Sequence, residues 1–163
     1  MSPTDQVTVT TPSDREIRVT RTFDAPRERV FEAWTTPSIL KQWLFGPDGH
    51  SLEVCEIDLR IGGTLHYLWR LPDGNGMSLS GTFREVKPPE RLVHTEQFDP
   101  DWTGGETLVT TDFIGQAGRT RVDVLIHYPS REARDGALQS PMAEGMEMGY
   151  ARLEKILLAK VAR

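Results

Sequence analysis

Residues 141–161 read Pro-Met-Ala-Glu-Gly-Met-Glu-Met-Gly-Tyr-Ala-Arg-Leu-Glu-Lys-Ile-Leu-Leu-Ala-Lys-Val. Met142, Met146, Gly149, Tyr150, Leu153, Ile156 and Leu157 recur at three- and four-residue steps, which makes one apolar stripe on a helix. Glu144, Glu147, Arg152, Glu154 and Lys155 fall mostly on the other side. Ser140 is placed to cap this helix, and Pro141 suits its first position, where a missing N–H costs nothing. The stripe changes along its length. Leu153, Ile156 and Leu157 specify a tight core, whereas Met142, Met146 and Tyr150 are interleaved with Gly145 and Gly149. A helical glycine costs about 1 kcal/mol against alanine, so two of them call for a reason. One is close approach of another backbone, and another is room for a ligand. Methionine suits a surface that must repack around different shapes. The competing reading is that the whole stripe is ordinary core.

What the helix lies against decides between these readings. Upstream of it the chain alternates. Glu16–Phe23 places Ile17, Val19, Arg21 and Phe23 on one face. An inward Arg21 needs a carboxylate partner, because an unpaired buried charge is very costly. Asp24-Ala25-Pro26 ends that strand, and two short helices follow, carrying Val30, Phe31, Trp34 and then Ile39, Leu40, Trp43, Leu44. From Ser51 onward strand follows strand with a turn signal between each pair: 51–59, 64–71, 77–86, 91–98, 106–114 and 119–128. Strand 64–71 puts Leu65, Tyr67, Trp69 and Leu71 on one face, and strand 91–98 does the same with Leu92, His94, Glu96 and Phe98. The order strand, two helices, six strands, long helix predicts an α+β helix-grip fold. A curved antiparallel sheet of about seven strands wraps around the C-terminal helix, with the two short helices after the first strand. Residues 1–14, rich in Ser, Thr, Pro and Asp, read as a flexible tail, with Val7 and Val9 able to extend an edge strand, and 15–163 as a single domain.

A rod about 30 Å long cannot lie flush along a twisted sheet, so a cleft is expected under its methionine half. Leu65, Tyr67, Trp69, Phe83, His94, Glu96 and Phe98 would line it. Met142, Met146 and Tyr150 would roof it, with Trp43 and Trp102 at the mouth. Such a lining suits a small apolar or aromatic ligand with a polar end, such as a lipid, a polyketide or an aromatic metabolite. His94 and Glu96, two apart on one strand, point into the same space. With Arg21 nearby they are the candidates for acid–base chemistry, against the alternative of an internal salt-bridge network.

Composition narrows the partners. The net charge is −5 with no basic run, which argues against nucleic acid. Cys55 is the only cysteine, which excludes an internal disulfide and fits a cytoplasmic address; it reads as inert packing. No apolar run is long enough to span a bilayer, so stable membrane insertion is not expected. His50, His66, His94 and His127 are scattered, so no metal and no cofactor are predicted.

Several motifs occur in an order that resembles the activator-of-heat-shock-ATPase homologue family (AHSA-like proteins) of the START-like, or SRPBCC, superfamily. They are Arg21-Thr22-Phe23-Asp24-Ala25-Pro26 followed by Val30-Phe31-Glu32-Ala33-Trp34, then Trp43 and Gly46, and Asp58-Leu59-Arg60-Ile61-Gly62-Gly63. Pro72-Asp73-Gly74, Gly81, Pro88-Pro89-Glu90-Arg91-Leu92 and Thr120-Arg121-Val122 follow. The resemblance spans roughly 15–160 and implies the helix-grip fold. It implies three functional classes: a carrier or binding protein for an apolar ligand, an enzyme such as a cyclase, hydrolase or isomerase, and a chaperone-interacting module in a stress response. It carries no catalytic residue over. Binding is the leading reading, and homodimerisation stays open.

Overall fold

A computed structural model describing residues 6–161 places Glu16–Phe23 (β2) beside Arg119–His127 (β8). Their antiparallel register is unbroken from Glu16 opposite His127 to Phe23 opposite Thr120. The other strands are Thr8–Ser13 (β1), Ser51–Ile57 (β3), Thr64–Arg70 (β4), Gly76–Lys87 (β5), Arg91–Asp99 (β6) and Thr107–Gln116 (β7). The helices are Arg27–Thr35 (α1), Pro37–Trp43 (α2), Arg131–Gln139 (α3) and Met142–Val161 (α4). All eight strands form one antiparallel sheet in the order β1-β2-β8-β7-β6-β5-β4-β3. The meander from β3 to β8 therefore ends beside β2, and α4 lies in the concave face. This is the helix-grip, START-like fold.

Two features bend the sheet. The β3–β4 register slips between Leu52 and Val54, and the β5–β6 register slips between Phe83 and Glu85; such bulges add local twist and curvature. The two-residue β7–β8 turn, Ala117-Gly118, has positive φ at both positions, 51° and 83°, the twist that suits a tight hairpin. At Gly81 a side-chain carbon would run into the carbonyl oxygen of Thr95, so β5 and β6 approach there as only glycine allows.

The C-terminal half of α4 supplies the core. Leu153 and Leu157 are fully buried, and the Tyr150 ring meets those of Phe23, Trp34 and Trp43 at centroid distances of 5.6, 5.4 and 6.1 Å. The Trp34 ring also packs edge-on against Phe113, and the Phe31 ring meets Phe113 at 5.2 Å. Each fully buried side chain of this size contributes about 1.5–3 kcal/mol.

Three expectations change. The sheet has eight strands, not about seven, because Thr8–Ser13 pairs with β2: the edge strand that Val7 and Val9 allowed forms, and the loose tail is correspondingly shorter. The short helices thus follow the second strand; residues 1–5 of the expected tail lie outside the described residues. The helix α3 was not anticipated, and Ser140 serves it: the Ser140 hydroxyl donates to the Ala137 carbonyl at 2.6 Å instead of capping α4. The long helix starts one residue later than expected, with the Pro141 carbonyl accepting the Gly145 N–H at 3.0 Å. Among the described residues no helix is long and apolar enough to cross a membrane.

Candidate functional site

Alternation along β4, β5 and β6 turns every second side chain toward α4. Under the N-terminal half of that helix the two surfaces diverge, leaving a cavity of about 610 Å³. Its wall is formed by Leu65, Tyr67 and Trp69 from β4, Leu79 and Phe83 from β5, and Leu92, His94, Glu96 and Phe98 from β6. Met142, Met146 and Tyr150 close it from above. All twelve residues named from the sequence as lining a cleft border this one space, Trp43 and Trp102 included.

The two tryptophans differ from expectation in one respect. Trp102 is at the mouth, 46% exposed, with its ring 5.3 Å from Phe98. Trp43 is not: it is fully buried, its indole N–H donates to the Ala33 carbonyl at 3.2 Å, and it forms an inner wall. The exposed Pro47 and Gly145 also border the space, so the opening lies between the loop after α2, the β6–β7 loop and the first turns of α4.

The two helix glycines do different things. A side-chain carbon at Gly149 would sit 3.1 Å from the Trp43 carbonyl oxygen, so this glycine lets α4 cross α2 closely. At Gly145 nothing lies within 4 Å, and this glycine leaves space at the cavity opening. Of the two reasons that the sequence suggested, close approach of another backbone applies at Gly149, while Gly145 faces open space.

The polar centre is the pair His94 and Glu96, with Nε2 donating to Oε2 at 2.9 Å. Their side chains are 14% and 22% exposed, and the His94 ring is 6.0 Å from Phe83. His94 Nδ1 is buried and has no hydrogen-bond partner. Three tyrosines surround the pair. Burial, and then the charges of Cys55 and Glu96, push the Tyr67 phenol well above its usual range. Burial and Glu96 do the same to Tyr128. Tyr150 is raised by burial, Glu147 and Glu96, with Arg21 opposing. All three phenols therefore stay protonated and can donate. The Tyr128 hydroxyl points at the Met142 sulfur, 3.6 Å away.

Arg21 does not join this group. It is 5% exposed, but its guanidinium is 3.3 Å from Glu147 and 3.8 Å from Glu154, on the part of α4 turned away from the cavity, and lies over the Phe23 ring at 4.8 Å. The carboxylate partners that its inward position required are thus supplied by the helix, and the grouping of Arg21 with His94 and Glu96 is not formed. Cys55 is buried, and desolvation, opposed by Lys41, pushes its thiol up to about 11, as inert packing requires.

Sequence reasoning passed over several lining residues. Trp34 from α1, Val109 and Thr111 from β7 and Val124 and Ile126 from β8 complete the far wall. Strand alternation held that signal, since Val124, Ile126 and Tyr128 share a face. His50 and Arg152 carried no local signal. Arg152 straps the loop after α2: it donates to the Gly46 carbonyl at 2.7 Å, meets Asp48 at 3.3 Å and stacks over Phe45 at 3.8 Å. Among the described residues no three His, Cys, Asp or Glu side chains converge in a group that could hold a metal.

Comparison with known proteins places this architecture. The family model for "Activator of Hsp90 ATPase homolog 1-like protein" matches residues 24–158. A crystal structure of a Rhodobacter sphaeroides protein is 34% identical with a TM-score of 0.90, covering 95% of this chain and 99% of that one. Protein Ms6760 from Mycobacterium smegmatis is 25% identical with a TM-score of 0.81, over 93% and 96% of the two chains. DynU16, a protein of the dynemicin biosynthetic locus, is 26% identical with a TM-score of 0.66, over 91% of this chain and 49% of its own. No functionally curated protein matches.

Proposed function

We propose that this chain, which belongs to the Activator of Hsp90 ATPase homolog 1-like family, binds a small apolar or aromatic molecule between its sheet and α4. The observation that carries the reading is the cavity of about 610 Å³, walled mainly by aromatic and aliphatic side chains, with the hydrogen-bonded His94–Glu96 pair and a few other polar groups in its lining. Its volume and make-up are those of small-molecule sites, which are mostly apolar with a few placed polar groups. The likeness to DynU16, whose locus is biosynthetic, agrees with a metabolite as ligand. The test is a thermal-shift screen against apolar and aromatic metabolites, since a ligand at 100 times its dissociation constant stabilises by about 2.7 kcal/mol. A hit must lose its shift in Met146→Trp, which fills the cavity from above. Shifts that survive that substitution place binding elsewhere and refute the proposal.

His94 and Glu96, hydrogen-bonded at the cavity centre, favour a second reading, an enzyme acting on the bound molecule. It requires that Glu96→Gln abolish turnover of a molecule that still binds. The family's description supports a third, stimulation of a chaperone ATPase; an unchanged ATPase rate at saturating protein excludes it.

A further inference from the structure

The charges around the cavity are unevenly answered. Glu96 uses one carboxylate oxygen on His94 Nε2, and among the described residues its other oxygen has no partner, while the side chain is open enough to be reached from the cavity. Among the described residues no cation stands ready to receive an anion. Arg21 is engaged outside by Glu147 and Glu154. Arg152 borders the cavity but is committed to the Gly46 carbonyl, Asp48 and the Phe45 face. His94 faces Glu96 with one nitrogen and buries the other away from solvent, and His50 likewise has its Nδ1 buried. The Tyr67, Tyr128 and Tyr150 hydroxyls can donate, but each lies within the field of the Glu96 carboxylate, so an anionic head accepting from them would sit beside a like charge.

We infer that the cavity selects ligands whose buried end donates a hydrogen bond, a hydroxyl or a protonated amine on an apolar body, to the free oxygen of Glu96, and that it excludes carboxylate-ended ligands such as fatty acids. This rests on the cavity being a ligand site. A hydrogen bond to a charged acceptor in an apolar surround is strong, and a site built to receive a donor discriminates sharply against an analogue that lacks one. Tyr67, Trp69 and Phe98 also line the cavity and supply aromatic rings to which an ammonium head is attracted.

The experiment uses four probes of one shape: 1-hydroxypyrene, 1-pyrenemethylamine, 1-methoxypyrene and 1-pyrenecarboxylate. All four tryptophans, Trp34, Trp43, Trp69 and Trp102, border the cavity, so quenching of intrinsic fluorescence reads each dissociation constant. The hydroxyl and amine probes are expected to bind at least tenfold more tightly than the carboxylate and several-fold more tightly than the methyl ether. Whichever of the two binds better tells whether a neutral or a charged donor is preferred. Glu96→Gln is expected to bring the hydroxyl and carboxylate constants within about threefold of each other and to leave the methyl ether unchanged. If all four probes bind equally to the native protein, or Glu96→Gln preserves the discrimination, the donor inference is overturned while the cavity reading stands. If no probe quenches, both fall together. Should Glu96→Gln not fold, the four native constants decide alone.

Discussion

Gly145 and Gly149 occupy the same helix, four residues apart, and alanine should act on them with opposite sign. Replacing a helix-interior glycine by alanine gains about 1 kcal/mol of helix propensity at either site, so this contribution cancels between the two variants. At Gly145 a methyl group meets nothing within 4 Å, and the gain stands. At Gly149 it lies 3.1 Å from the Trp43 carbonyl oxygen and 3.7 Å from that residue's ring. Trp43 cannot yield easily: it is fully buried, and its indole N–H is held by the Ala33 carbonyl at 3.2 Å. Overpacking of this kind costs about 1–3 kcal/mol. Gly145→Ala should therefore be more stable than Gly149→Ala by about 1–3 kcal/mol. For a domain of this size each kcal/mol moves the melting temperature by roughly 2–4 °C. Urea denaturation followed by circular dichroism measures the difference directly. Equal stabilities, or a more stable Gly149→Ala, would refute the close crossing of α2 and α4 at Gly149.

Other perturbations follow from the same geometry. Arg21→Met removes the cation paired with Glu147 and Glu154, which keep the Val7 and Asp24 N–H donors; because Glu147 is 33% exposed, the loss should sit near the lower end for a broken buried pair, about 3 kcal/mol by urea midpoint, and a loss below about 1 would show the pair to be incidental. Gly81→Ala forces a methyl group into the Thr95 carbonyl and should destabilise the β5–β6 pairing, seen as faster amide exchange at Thr82 and Thr95; unchanged exchange contradicts the close approach. The Cys55 thiol, raised from 9.0 to about 11, keeps its proton in the fold after an unfolded chain has lost it. The folded state then binds more protons across that window, so stability should fall as pH rises from about 9 to about 11, and Cys55→Ala should flatten that slope.

The parts of this structure that were legible in the sequence are those with a short period. Along Thr64–Arg70 and Arg91–Asp99 the two-residue period groups Leu65, Tyr67 and Trp69 on one face and His94, Glu96 and Phe98 on another; that these faces meet the cavity rested on the larger residues pointing inward, since Leu68, Val93 and Thr95 blur the alternation. The division of α4 into a leucine half and a methionine half was equally readable. Two elements were much less so. The edge strand Thr8–Ser13 was legible only in Val7 and Val9, which could extend an edge strand; almost every residue is exposed and Pro12 interrupts the pattern, so its full extent rests on backbone pairing with β2. The helix α3 buries only Ala137, so it has almost no stripe; its one signal was Ser130, whose hydroxyl accepts the Ala133 N–H as an N-cap. Long-range pairing was also illegible. That Arg21 needs a carboxylate followed from its parity, but nothing local says that Glu147 and Glu154 provide it, and that placement is what removes Arg21 from the cavity. The hold of Arg152 on Gly46 and Asp48 is of the same kind.

The methionines offer the most direct measurement. The protein has five. Met77, Met142 and Met146 border the cavity, whereas Met148 is 39% exposed on a separate open groove beside Gln6 and Val7. With methionine methyls labelled by carbon-13, titration of a bound apolar ligand should shift Met77, Met142 and Met146 together, saturating at one dissociation constant, and leave Met148 in place. A ligand that shifts Met148 while the three cavity methyls stay fixed would show that binding, where it occurs, bypasses the space under α4.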